Sequence, residues 1–173
     1  MKLQDSIIEI INEISENDKA SFEILETVTE LADGVYDQIK YDNKWDAHIK
    51  LNYLDKGQQV IPFYEIIKNR KGECHEKALL LEMLIELTNK SRDKDNKIKS
   101  EFVEGELSIG TDKAGHAWVE LHLPDGKSVI VDPTNPPYLY GTYDEITLDE
   151  DGNRIKFVRD DRFNRLVVDA TPK

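Results

Sequence analysis

At 173 residues, with 39% apolar and 34% charged residues, the chain has material for one well-packed domain but not for two comfortable ones. A formal charge of −12 argues against nucleic acid and anionic membranes as partners, because phosphate binding depends on concentrated Lys and Arg. A single cysteine excludes a disulfide framework within the chain.

The first predicted element is an amphipathic helix marked by Leu3, Ile7, Ile10, Ile11 and Ile14, which either packs on the core or offers a contact to a partner. Acids break the apolar run of Met1–Glu9, no secretory cleavage site is visible, and no stretch approaches a membrane span. A cytoplasmic protein is therefore expected, in a compartment that keeps a thiol reduced. Leu25, Val28, Leu31, Ala32, Val35 and Ile39 mark a second helix, with Ser21 as its N-cap. The third begins where a glycine turn, Lys71-Gly72-Glu73, meets the apolar run Cys74-His75-Glu76-Lys77-Ala78-Leu79-Leu80-Leu81.

Position gives Cys74 its interest. A helix start presents first-turn N–H groups and the positive end of the dipole, which favour a thiolate and can receive an oxyanion. Taken alone, a cysteine there is also an ordinary small buried residue. The polar run Thr88–Ser100 is predicted to be a solvated loop, with a substrate-facing lid as the functional alternative. Strands follow near Glu101–Leu107, His116–Leu123 and Ser128–Val131, and a further hairpin near Ile146–Leu148 and Ile155–Val158 around Asp151-Gly152-Asn153. Helices first and an antiparallel sheet afterwards predict an α+β domain.

The turn Leu123-Pro124-Asp125-Gly126-Lys127 ties two polar residues together. Proline suits the first corner of a type I turn and glycine the following left-handed position, which favours a three-residue loop with a bulge. With Leu123 opposite Lys127, Asp132 falls opposite Trp118 and diagonal to His116, on the same sheet face and within roughly 7–8 Å between backbones. A two-residue Asp125-Gly126 loop would send Asp132 to the other face. If Cys74 brings its helix start against that face, the three residues form a nucleophile, a base and an orienting carboxylate.

Gly72-x-Cys74 opening an apolar helix, Gly115-His116-Ala117-Trp118 on a strand and Asp132-Pro133-Thr134 after the next resemble the transglutaminase-like superfamily of papain-like cysteine enzymes. The likeness extends upstream through Val35-Tyr36-Asp37-Gln38-Ile39-Lys40-Tyr41 and Pro62-Phe63-Tyr64-Glu65-Ile66-Ile67, and covers about Glu30 to Pro137. The chain departs from the family at Glu73, where many members carry Trp or a small residue, and in the longer insert before the first strand. The resemblance implies a single transglutaminase-like domain over 1–173, with a helical extension at 1–29, a core at 30–137 and a loop and hairpin at 138–173. It implies a Cys74, His116 and Asp132 triad acting by acyl transfer on peptide, isopeptide or glutamine amides through a thioester. Hydrolysis is expected over cross-linking, the alternative being a catalytically idle module that binds protein.

Trp118 and Tyr138 are candidates to line the substrate cleft, against the plainer roles of core support and a wall packed on the sheet. The substrate expected is a protein or peptide, and no cofactor is expected. Nor is a metal: adjacent Cys74 and His75 point about 100° apart on a helix, and His116 and His122 lie roughly 20 Å apart along a strand.

Overall fold

The computed structural model describes residues 19–52, 61–143, 147–160 and 168–169. The helix expected around Leu3–Ile14, Ile146 and much of the chain after Asp160 lie outside these. Helix α1 (Lys19–Gln38) buries Ile24, Leu25, Val28, Ala32 and Val35, a stripe at helical spacing. Ser21 sits inside this helix, fully buried, so its place is in the packed face and not at the cap. The chain continues through β1 (Lys40–Tyr41), α2 (Trp45–Asn52), β2 (Ile61–Pro62), α3 (Phe63–Asn69) and β3 (Lys71–Gly72) into α4 (Cys74–Asn89).

Two short parallel pairings hold this crossing in place. β2 pairs with β9 (Val168–Asp169), and β1 pairs with β3, Lys40 opposite Lys71 and Tyr41 opposite Gly72. The second ties the end of α1 to the residues just before Cys74, through Lys40 N–H to Arg70 O at 2.9 Å and Asp42 N–H to Gly72 O at 3.0 Å. Glycine is required at 72 for space: a Cβ there would stand 2.8 Å from the Cβ of Glu76.

β4 (Lys99–Ile109), β5 (Asp112–His122), β6 (Ser128–Val131), β7 (Thr147–Leu148) and β8 (Arg154–Arg159) form one antiparallel sheet in the order β6-β5-β4-β8-β7. The β5–β6 register is the one the three-residue loop demands. Val119 faces Val131 and Leu121 faces Val129, Leu123 N–H bonds Lys127 O at 2.8 Å, and Gly126 takes φ +88°. Thr147–Leu148 and Arg154–Arg159 form the expected hairpin, but β8 also pairs with β4, so the hairpin extends the main sheet. The segment between α4 and β4 is mostly exposed, and Asn89 closes it by bonding both the N–H and the C=O of Ile98 at 2.8 Å.

Alternation along β5 gives the sheet two apolar faces. Ala117, Val119 and Leu121 meet Leu25, Val28, Ala78, Leu81 and Ile85 in the helical core. Trp118 belongs to the other face with Val103, Ile130, Tyr140, Ile155 and Phe157. The result is a mixed fold, N-terminal helices packed on an antiparallel sheet.

Gly105 is where β4, β8 and the aromatic face come closest. A Cβ there would lie 2.0 Å from the carbonyl oxygen of Val158 and 2.7 Å from the Trp118 ring. Gly105→Ala is expected to destabilise the fold by about 1–3 kcal/mol or more, as overpacking against backbone does. Urea unfolding would show it as a lower midpoint at unchanged slope, and an unaltered midpoint would contradict this packing.

Candidate active site

Each of three short signals in the sequence places one polar side chain at the same spot. Cys74 opens α4 behind the Glu73 cap, whose backbone N–H donates to Glu76 Oε2 at 2.8 Å. His116 lies in β5, and Asp132 follows directly after β6. His116 Nε2 stands 2.7 Å from Asp132 Oδ2. The thiol of Cys74 is near enough to the same ring to favour its protonated form, and with Nε2 taken by Asp132 the nitrogen left for it is Nδ1.

The carboxylate is held from several sides. Asp132 is fully buried; its Oδ1 accepts the Thr134 N–H at 2.9 Å, and its Oδ2 accepts the Asn135 amide at 2.8 Å beside the His116 bond. The first contact is an Asx turn, the ordinary habit of Asp two residues before a turn N–H. The second comes from Asn135, which the spacing of the triad alone does not single out.

The route by which Cys74 reaches His116 differs from the simplest expectation. α4 packs mainly on the Ala117–Val119 face, whereas His116 shares the opposite face with Trp118 and Phe157, its ring 6.4 and 6.2 Å from theirs. The two residues meet at the end of the sheet that β6 leaves uncovered, because β6 pairs only with Val119–His122. A cavity of about 550 Å³ opens there, with Cys74, His116, Tyr36, Lys77, Thr134 and Asn135 in its walls. Glu73 also lines it, close in sequence to the thiol.

Trp118 and Tyr138 do not line that cavity. Trp118 is fully buried, its indole N–H donating to Tyr143 Oη at 3.1 Å, and it supports the His116 ring from beneath. Tyr138 donates its hydroxyl proton to Asp33 at 2.9 Å and borders a separate cavity of about 350 Å³ against α1, with Leu25 and Phe22. The residue spacing missed Lys77 instead, one turn beyond Cys74 and 2% exposed. Among the described residues, no group of three His, Cys, Asp or Glu side chains is placed to hold a metal ion, and no helix is long and apolar enough to cross a membrane.

Electrostatics favour a charged imidazole. Burial works against the proton on His116, but the charge and hydrogen bond of Asp132, helped by Cys74, outweigh it and raise the ring from 6.5 to about 10. An aromatic, partly enclosed site strengthens such pairing because little water screens it.

No protein-family model matches the chain, and no curated protein matches it. Among solved structures, one described as a putative cysteine protease from Cytophaga hutchinsonii is similar at 18% identity with a TM-score of 0.41. The similarity covers 66% of this chain and 34% of that one, so the chain spans about a third of that protein's length.

The raised value of His116 has a definite sign. A ring titrating near 10 when folded and near 6.5 when unfolded stabilises the fold fully below pH 6.5, and that stabilisation is lost as pH rises toward 10. NMR titration is expected to find His116 doubly protonated through pH 8, with Asp132→Asn bringing the midpoint down. A parent midpoint near 6.5 would contradict the pairing.

Proposed function

We propose that the chain is a cysteine-dependent acyl-transfer enzyme of the transglutaminase-like, papain-like type, acting on amide bonds with hydrolysis as its main outcome. The observation that carries this reading is the placement of His116 between a buried, multiply bonded Asp132 and the only thiol of the chain. Asp132 fixes the ring's orientation and tautomer, leaving Nδ1 to Cys74, which is the division of labour a nucleophile and base require.

The chemistry follows from those positions. Cys74 Sγ forms a bond to the amide carbonyl carbon while its proton resides on His116 Nδ1. The carbonyl oxygen takes up the negative charge beside the start of α4, where first-turn N–H groups have no acceptor within the helix. The C–N bond then breaks, His116 gives its proton to the leaving amine, and a thioester remains on Cys74. Water, deprotonated by His116, attacks the thioester and releases the carboxylic acid and the free thiol. A lysine amine in place of water would give a cross-link. Hydrolysis is favoured because it needs only water as acceptor, for which the cavity of about 550 Å³ beside Cys74 has room.

The test is a turnover screen across peptide, isopeptide and glutamine-amide substrates, with intact-mass detection of an acyl adduct on Cys74. Amine release with a transient adduct is expected, and Cys74→Ala or His116→Ala should lower turnover by more than about a thousandfold. Folded protein that releases no amine from any of the three classes would leave the binding-module reading in its place.

A further inference from the structure

Lys77 is an anomaly in an acidic chain. It lies three residues after Cys74, hence on the same side of α4, and its side chain is 2% exposed. Its ammonium sits 4.6 Å from the centre of the Tyr36 ring. Among the described residues, no carboxylate comes within ion-pair distance of it, although most other buried or half-buried charges near the site have partners: His116 has Asp132, and His75 has Glu104 at 2.6 Å. Asp132 is near enough to be felt, but its oxygens are occupied by His116, Thr134 and Asn135.

A largely buried cation that rests on a ring face and has no paired carboxylate lacks the close anionic partner that usually offsets its desolvation. The cation–π contact supplies about 0.5–2 kcal/mol, a fraction of that cost. Burial accordingly pulls the Lys77 amine below its ordinary value against the opposing charge of Asp132, and Lys40, close enough to act by charge, adds a smaller pull downward. Lys40 and Lys77 line the cavity together, with Cys74 and His116 in the same wall system and Glu73 as the one carboxylate among its lining residues. The cavity thus holds two ammoniums and an imidazolium around the thiol, inside a protein of net charge −12.

We propose that the Lys77 ammonium, assisted by Lys40, is a specificity-determining group that binds a carboxylate of the acyl substrate beside Cys74. The substrate class is an amide whose acyl part carries a free carboxylate close to the scissile carbonyl, such as an acidic side chain or a chain terminus. The inference rests on the reading of Cys74 as the nucleophile, and deepens it. Tyr36 orients the ammonium, and its ring forms the adjoining wall.

Paired alkylation tests it, since iodoacetate and iodoacetamide deliver the same carbon to Cys74, forming the C–S bond and expelling iodide, and differ in the carboxylate. The rate ratio of iodoacetate to iodoacetamide at pH 7 is expected to exceed that of a free thiol such as glutathione. Lys77→Met should lower that ratio by about tenfold, as removal of one nearby charge from a partly enclosed site does, Lys77→Arg should keep it, and Lys40→Gln should lower it less. A ratio that Lys77→Met and Lys40→Gln both leave unmoved in folded protein overturns the proposal. If Cys74 is inert to both reagents, the nucleophile reading fails, and carboxylate binding is decided by NMR instead. N-acetylglycine added to Cys74→Ser protein should shift the Tyr36 ring signals where N-acetylglycinamide does not. Equal effects of the acid and the amide, or none, overturn the binding claim.

Discussion

The hydrogen bond between His116 and Asp132 is the constraint on which the site depends, and it is inherited from a turn several residues away. Because β5 and β6 are joined by Pro124-Asp125-Gly126, with glycine in the left-handed region, the pairing puts Asp132 on the His116 side of the sheet. A slip of one residue would reverse the facing of every side chain in β6 and carry the carboxylate away from the ring. The same register sends Val129 and Val131 into the helical core and Ile130 into the aromatic face. Folding stability and site assembly therefore rest on one pairing.

What surrounds the pair makes it effective. Trp118 and Phe157 border the imidazole, and Asp132 is sealed from solvent by the Thr134–Asn135 turn. Low local polarity strengthens the attraction between the carboxylate and the ring. The thiol arrives from a separate layer. α4 is positioned by its apolar side against α1 and β5, and by the β1–β3 pairing that fixes the residues just before Cys74. The thiol and the imidazole are thus set by independent packing problems that meet at the uncovered end of β5.

Much of this was legible in the sequence, for reasons that can be named. The Pro-Asp-Gly loop carries its turn type in its residues, and β6 runs over the predicted Ser128–Val131. The start of α4 was legible from Gly72 and the apolar run after Cys74, although Gly72 lies in β3 and owes its place to close approach to Glu76, not to a turn. Other features depend on tertiary placement that no spacing reveals. Lys77 reads as a solvated helix position until Tyr36 and the cavity wall close over it. Asn135 reads as one more turn residue until its amide reaches Asp132. Period two put Trp118 on the His116 face correctly, but only the β4–β8 pairing around Gly105 shows that this face is covered there. Ser21 looks like a cap by residue type, yet α1 already includes it.

The account stands or falls on whether the thiol and the imidazolium act as a unit. The pH dependence of Cys74 alkylation by iodoacetamide, in the parent and in His116→Ala, measures that directly. Coupling predicts a parent thiol that reacts well below pH 8, and a His116→Ala variant whose reactivity at those pH values falls to that of a free thiol. Identical profiles for the two proteins would contradict it.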